Sequence, residues 1–165
     1  MLTMLRFFAP VSIGIEVTSS AVRFGVISRS GKGTAVHATR AFDLPAGIVT
    51  ETYALPVLSD AKQFADALRA GLLGFSAFKT RRIGLSLPDA MFRIQILEFD
   101  ELPGAASDRE KLIRWRLEKS AAFDMTGTVL RFQAQKRTER GHVVLAAAAK
   151  QDLIASFEDL LADLG

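Results

Sequence analysis

The chain has 165 residues, of which 49% are apolar and 24% are charged, and its formal net charge is +3 at pH 7. This length is enough for one domain or two small subdomains with a normal core, and the composition excludes a disordered chain. The chain contains no cysteine, which excludes disulfides, thiolate metal sites and a cysteine nucleophile. Two histidines, His37 and His142, are too few for a zinc site, and we expect a structural role for each.

Residues 1–10 are apolar, but this tail is too short and too weakly charged for a signal peptide. Two interpretations stay open: the tail packs on a partner or touches a membrane surface, or it is a disordered or core-packed end. No apolar run approaches the ~18–20 residues that span a bilayer. We therefore expect a cytoplasmic protein, which in the first interpretation lies peripherally at a membrane face.

A meander of three strands is predicted after the tail. Apolar residues alternate with polar or small ones over 11–17, which is the period of a half-buried strand, and residues 22–26 repeat it. A glycine-containing hairpin turn at 30–33 leads into a third strand over 34–42. Residues 44–47 then end the meander.

A helix is predicted to begin after Ser59 or Asp60, either of which can cap its first turn, and to end at Gly74. Its inward face repeats every 3.6 residues and consists of Ala61, Phe64, Ala65, Leu68 and Leu72. The next strand is predicted over 83–87. Because a helix between two strands indicates a crossover onto an existing sheet, we expect an α/β or α+β fold.

A second module is predicted to follow residues 87–88. Its elements are a strand over 91–99, a helix that a capping box at 107–110 opens and that runs toward 123, a hairpin of strands over 128–135 and 142–149, and a final helix. The residues of the hairpin turn, 136–141, are mostly charged. The final helix is predicted to turn inward Leu153, Phe157, Leu160, Leu161 and Leu164.

The most informative motif lies within 13–23, where a strand, a turn of small residues and a second strand follow one another. Glu16 precedes the turn, which consists of Thr18, Ser19 and Ser20. The arrangement resembles the phosphate turn of actin-like and sugar-kinase-like ATPases, in which the acidic residue holds Mg²⁺ through water. Thr18 stands where that turn normally carries glycine, and its Cβ obstructs close backbone approach and left-handed dihedrals. We therefore expect a degenerate phosphate loop.

Other chemical motifs are absent or weak. The chain has no Gly-x-Ser-x-Gly elbow, no Gly-x-Gly-x-x-Gly loop and no Walker phosphate loop. The basic residues of the helix predicted to begin at 107 are spread around it and offset by acidic ones, so we expect no binding of nucleic acid. Trp115 on this helix has two interpretations: a half-exposed anchor for a partner, or a core residue that packs against the strand over 91–99.

The order of several short motifs resembles the PilM family, the actin-like cytoplasmic proteins of type IV pilus assembly, and its relatives in type II secretion. The motifs that carry this resemblance are Ile13-Gly14-Ile15-Glu16, residues 44–49, residues 83–88, Ile113-Arg114-Trp115 with Glu118 and Phe123, and residues 143–150. Together they cover nearly the whole chain.

The resemblance implies half of an actin-like (ribonuclease H-like) domain, with a mixed sheet and helices, over residues 11–88. A small strand-helix-strand-strand subdomain with a C-terminal helix would follow over 89–164. Family members continue further, and their continuation supplies the second phosphate loop, the adenosine pocket and the catalytic acid. We therefore expect no enzymatic activity and no metal site, and ATP with Mg²⁺ only in a longer or completed protein.

Three functions stay open at this point. The resemblance implies a scaffold or adaptor of the inner-membrane assembly platform of a type IV pilus or type II secretion system. Its partners would be a single-pass membrane protein, held by its N-terminal cytoplasmic peptide, and the assembly motor ATPase. The alternatives are a nucleotide-dependent switch that binds Mg-ATP weakly at the degenerate loop, and an unrelated small α/β binding domain. If the chain is as short as this sequence, strand edges that the missing half would cover imply self-association or a required partner.

Overall fold

The structure, a computed structural model, describes residues 13–30, 33–54, 56–75, 83–121, 124–135 and 141–164. The tail over 1–10 and the start of the first predicted strand lie outside these residues. The chain forms two compact units. The first comprises the described residues up to Glu51 and from Pro56 to Pro88, and the second comprises 52–54 and the residues from Asp89 to Asp163.

The first unit contains one mixed sheet of four strands in the order β3-β2-β1-β4. Its strands are β1 (Ile13–Val17), β2 (Ala21–Ser30), β3 (Gly33–Asp43) and β4 (Ile83–Ser86). β1, β2 and β3 form the predicted antiparallel meander, and β4 pairs with β1 in the parallel direction. The period of two explains the core, because one face of β1 and β2 is buried: Ile13, Ile15, Val17, Val22, Phe24 and Val26.

Helix α1 (Ala61–Leu73) packs on this buried face. Asp60 caps it, since its side chain accepts a hydrogen bond of 2.9 Å from the Gln63 N–H, and the helix ends at Gly74 as predicted. Phe64 and Leu68 are fully buried. A Cβ at Gly71 would overlap the ring of Phe24, so glycine is the residue that lets the helix approach the sheet this closely.

The second unit contains a sheet of three antiparallel strands in the order β5-β7-β6. Its elements are a short 3₁₀ helix (Asp89–Met91), β5 (Arg93–Phe99), α2 (Ala106–Ala121), β6 (Thr128–Ala134), β7 (His142–Lys150) and α3 (Gln151–Ala162). β6 and β7 form the predicted hairpin, whose turn over 136–140 lies outside the described residues. α3 buries Leu153 and Phe157.

One core fills the space between α2 and the inner face of this sheet. It consists of Leu97, Ile113, Leu117, Met125, Leu130, Val144, Ala146 and Ala148. The central strand β7 contributes small residues, alanines at two of its three core positions, so the bulk of the core comes from α2 and the outer strands. α2 therefore covers the inner face of this sheet, and the outer face is the one that a partner could contact.

Several predicted element boundaries are wrong, and those of β3, β6 and β7 differ by a single residue at an end. β4 ends at Ser86, so Leu87 lies outside the strand. β5 begins at Arg93, because the chain over 89–91 forms a 3₁₀ turn in which the Phe92 N–H donates to the Asp89 carbonyl at 3.0 Å.

The start of α2 is also predicted wrongly. The helix begins at Ala106, and Ser107 is therefore a residue of its first turn and not its cap. The backbone explains this start, since the Arg109 N–H donates to the Ala105 carbonyl at 3.1 Å and so places the first helical hydrogen bond ahead of Ser107. α2 ends at Ala121, and Phe123 lies outside the described residues.

Candidate functional site

The turn of 18–20 joins β1 to β2 and closes on itself through the side chain of Thr18. The Thr18 N–H and the Thr18 hydroxyl both donate to the Ala21 carbonyl, at 2.9 and 3.1 Å. The same hydroxyl accepts from the Ala21 N–H at 3.0 Å and from the Ser20 N–H at 3.4 Å. A hydroxyl has one hydrogen to donate and two lone pairs, so these contacts use its full capacity.

The Ser19 N–H points away from the turn and donates to Oε1 of Glu51 at 2.7 Å. A hydrogen bond to a carboxylate of this length belongs to the short, charge-assisted class. With it, each backbone N–H from 18 to 21 has a partner in the chain. The anion that lies beside the turn is therefore the carboxylate of Glu51.

Glu51 is held beside the turn by the segment that follows β3. Val49 and Val57 are buried, and the chain between them doubles back through an antiparallel bridge of Val49 with Leu58. The Thr50 N–H donates to the Val57 carbonyl at 2.8 Å, immediately before Glu51. Buried valines and a backbone hydrogen bond thus fix the position from which an exposed carboxylate reaches Ser19.

The ionisation of Glu51 is coupled to this contact. Hydrogen bonds from the backbone N–H of Ser19 and from its side chain stabilise the carboxylate, so the pKa of Glu51 lies below its ordinary value of 4.5. A pKa lowered by folding gives stability that is present above the pKa of the unfolded chain. That stability is lost as the pH falls through the pKa of the folded state.

We therefore expect Glu51→Gln to lower the urea midpoint at neutral pH and to leave it unchanged at a pH below both pKa values, because the protonated carboxyl no longer differs in charge from the amide. Equilibrium urea denaturation at the two pH values measures the difference. A midpoint difference of the same size at both would contradict the assignment of the charge to this hydrogen bond.

Glu16, the acidic residue of the motif, is already paired. Its carboxylate lies 3.0 Å from a guanidinium nitrogen of Arg23, its direct neighbour across the β1–β2 ladder. Both side chains are about half exposed, at 55% and 52%, and exposed ion pairs of this kind stabilise a fold by ~1 kcal/mol or less. Among the residues that the structure describes, no three acidic or histidine side chains converge as metal ligands would.

Trp115 lies on the outer side of α2, opposite the core residues Ile113 and Leu117. Its side chain is 48% exposed, so it is not the core residue that one interpretation expected. The ammonium of Lys119, one helical turn further along, lies 4.5 Å from the centre of the indole ring. An exposed indole covered by a cation is suited to contact a partner surface.

A further surface, whose residues are not among the predicted site residues, lies on the outer face of the second unit's sheet. Ile94 and Ile96 of β5 expose 49% and 71% of their surface, and Leu145, which pairs with Ile96, exposes 40%. The sequence feature that could have indicated this surface is that both faces of β5 carry apolar residues. Leu97 belongs to the core, whereas the two isoleucines point to the opposite face.

The structure keeps the predicted site residues in two groups. Glu16, Thr18, Ser19 and Ser20 lie together at the β1–β2 turn of the first unit. Trp115 belongs to the second unit, where α2 covers the inner face of the sheet, and it is therefore on the opposite side of that sheet from Ile94 and Ile96. Within the described part of the chain, no helix is long and apolar enough to cross a bilayer.

Comparisons with known proteins show a similarity of fold. No family model matches the chain, and no curated protein matches it. Its fold is similar to a solved structure from Vibrio cholerae, the cytoplasmic domain of EpsL, an inner-membrane component of the type II secretion system, with a TM-score of 0.55 and 14% identity. The match covers 93% of this chain and 52% of the EpsL domain, so the chain spans about half of that domain's length. The predicted fold class, an α+β chain with a mixed sheet followed by a small α+β subdomain, is confirmed.

Proposed function

We propose that this chain is a non-catalytic adaptor at the inner-membrane assembly platform of a type II secretion system or a type IV pilus. In this role it lies at the cytoplasmic face of the membrane and holds a short cytoplasmic peptide of a single-pass membrane protein. The likeness of its fold to an inner-membrane secretion component supports the choice of system. The exposed apolar row on strand β5 carries the choice of a binding role.

β5 lies at an edge of its sheet, and β7 is its only strand neighbour in the described residues. The edge of a sheet is where another extended segment can add to it. An extended peptide laid along it continues the sheet: main-chain hydrogen bonds give affinity, and alternate side chains give specificity.

The outer face of β5 determines which peptide fits. Exposed isoleucines are uncommon. The two isoleucines of the row on β5, Ile94 and Ile96, form one apolar patch with Leu145 of the neighbouring strand β7. Glu98, also exposed, continues the same face toward the end of the strand. We therefore expect the peptide to place apolar side chains beside the two isoleucines and a basic side chain beside Glu98.

Two further edge strands, both in the first unit, carry an exposed large apolar residue: β3, where Val36 is 62% exposed, and β4, where Ile83 is 39% exposed. On β3, the neighbours of Val36 at a spacing of two residues are Thr34 and Ala38, and its partner across the ladder, Ile27, is half-buried, so no second exposed large apolar side chain adjoins Val36. The comparison favours β5 for the peptide and makes Val36 a matched control position.

The β1–β2 turn supports an adaptor over a nucleotide-dependent switch. A phosphate that binds at a turn of this kind needs free backbone N–H groups. Here those of residues 18–21 are bonded within the chain, and Glu16 is paired with Arg23. We assign no catalytic step and no ATP or Mg²⁺ to this chain.

Trp115 gives the adaptor a second contact surface. It lies on α2, which covers the inner face of the sheet, whereas Ile94 and Ile96 lie on the outer face. An adaptor needs two surfaces, and the indole with Lys119 is the exposed aromatic that binding sites favour as an anchor. We propose it as the contact for a second component of the platform, such as the assembly motor ATPase.

The test is site-specific photo-crosslinking in cells that make the whole platform. A photoreactive residue at Ile94 is expected to cross-link to the N-terminal cytoplasmic stretch of a single-pass inner-membrane protein, identified by mass spectrometry of the cross-linked peptide. The same residue at Val36 is expected to give no such product. Cross-links from Ile94 that join two copies of this chain would overturn the peptide assignment in favour of self-association.

Direct binding gives the magnitude. With the synthetic peptide identified in this way, Ile96→Glu is expected to weaken binding about thirtyfold or more, as loss of a central apolar anchor does (about 2 kcal/mol). Calorimetry or fluorescence anisotropy measures it. Val36→Glu introduces the same charge on the edge strand β3 and is expected to bind as the unaltered protein does. Equal loss in both variants would assign the effect to charge alone and contradict a site on β5.

A further inference from the structure

We propose that the β1–β2 turn is an anion-accepting turn whose resident ligand is the carboxylate of Glu51, and that Glu51 excludes external phosphate from it. The inference concerns the first unit alone and does not depend on peptide binding at β5. Glu51 is not among the site residues that the sequence predicts.

The Ser19 N–H differs from the other N–H groups of the turn in its partner. It is the single N–H of the turn, residues 18–21, whose partner lies outside the turn, since the others are bonded to Thr18 or to Ala21. Its partner is an anion at 2.7 Å. The position taken by Oε1 is therefore an oxyanion position, and in this fold a carboxylate fills it.

The contact between Ser19 and Glu51 is exposed to solvent. Ser19, Ser20 and Glu51 are all exposed, so a dissolved anion reaches the same N–H whenever the Glu51 side chain swings away. The two serine hydroxyls beside that N–H are further donors for a phosphate oxygen. Glu51 competes with any such anion at the high effective concentration that attachment to the same chain gives it.

The charge of Glu51 acts as well. A phosphate that entered while Glu51 stayed nearby would meet its negative charge at close range, and like charges in contact repel. Glu51 thus opposes phosphate twice, by occupying the donor and by its charge. Two substitutions separate these effects: Glu51→Ala removes both, whereas Glu51→Gln removes the charge and keeps an acceptor of the same shape.

The experiment is a titration with inorganic pyrophosphate, followed by the amide resonances of a ¹⁵N-labelled sample of the whole chain. In the unaltered protein we expect no saturable shift at Ser19. In Glu51→Ala we expect the Ser19 resonance to move even without ligand, because its hydrogen bond is lost, and then to shift saturably with pyrophosphate in about the millimolar range. Glu51→Gln is expected to bind more weakly than Glu51→Ala.

Asp43→Asn is the matched control. Asp43 is an exposed acid of the first unit that pairs with Ala21 across the β2–β3 ladder, so the variant removes the same charge close to the turn without opening the Ser19 N–H. It is expected to behave as the unaltered protein does, and sodium chloride at equal ionic strength is expected to shift none of the samples saturably.

Three outcomes overturn the proposal. If pyrophosphate shifts Ser19 equally in the unaltered protein and in Glu51→Ala, the carboxylate excludes nothing. If Glu51→Ala keeps a folded spectrum and Ser19 does not respond, the turn does not accept an anion. If Asp43→Asn gains the same response, net charge and not the Glu51 contact decides. Each outcome leaves the β5 cross-linking test unaffected, so failure here and failure of the adaptor role are distinguishable.

Discussion

Replacing Gly141 by alanine is expected to lower the free energy of unfolding of the second unit by about 2–5 kcal/mol. Gly141 precedes β7 and has φ of +108°, a backbone conformation that residues with a side chain adopt only at a cost. A Cβ there would also overlap the carbonyl oxygen of Phe99. Since that oxygen belongs to backbone, relief requires a shift of β5 and β7 relative to each other.

Urea denaturation of the variant measures this effect, and Gly104→Ala provides the control. Gly104 lies in the same unit, a Cβ there would meet open space, and its φ is not positive. Alanine at 104 is expected to leave stability unchanged or to raise it by up to about 1 kcal/mol, because it restricts the unfolded chain. Equal stability of the two variants would show that the backbone at 141 tolerates a side chain and would contradict the geometry.

Phe64→Ala is expected to lower the free energy of unfolding of the first unit by about 3–5 kcal/mol. Phe64 has no exposed surface and is among the largest fully buried side chains of α1, the helix that covers the β-sheet. Truncation removes apolar contacts and leaves a cavity. The surrounding core is fixed by strands on one side and by the Gly71–Phe24 contact further along the helix, so it has little freedom to collapse.

The control for Phe64→Ala is Leu73→Ala on the same helix. Leu73 is 67% exposed, so its truncation is expected to change stability by no more than about 0.5 kcal/mol. Urea denaturation of both variants, with amide hydrogen exchange to separate the two units, measures the difference. A loss at Leu73 as large as that at Phe64 would mean that α1 packs by another face.

Periodicity predicted the parts of the fold where one face of an element is buried. The alternation of Ile13, Ile15 and Val17 is enough to define β1, and the 3.6-residue spacing of Phe64 and Leu68 defines α1. The Glu16–Arg23 pair was also within reach, since a hairpin that pairs Val17 with Val22 places these two charges opposite each other.

The partner of Ser19 could not be predicted in the same way. Glu51 is 32 positions further along the chain, and no periodic pattern links them. Their contact depends on how the segment after β3 doubles back through Val49 and Val57. A hydrogen bond made by tertiary folding between exposed polar residues leaves no trace in local sequence.

The predicted cap at Ser107 was wrong, and the exposed face formed by the two isoleucines of β5 was not predicted, for two other reasons. A capping box is a local preference worth ~1 kcal/mol, and the helical tendency of the alanines before Ser107 is enough to extend α2 past it. At β5, alternation separates the two faces of the strand but does not say which face receives α2. Both Leu97 and Ile96 are apolar, and only the packing of α2 distinguishes them.

In the first sheet, β1 meets β2 across a turn of a few residues, but it meets β4 only after the chain has passed through β3 and α1. Closing so long a loop reduces chain entropy before any contact compensates for it, so pairings of this kind form late in folding. The β1–β2 hairpin is therefore the natural nucleus of the sheet, and β4 is its last strand to join. β4 has four residues and lies at an edge, so the sheet can release it while the antiparallel meander stays intact.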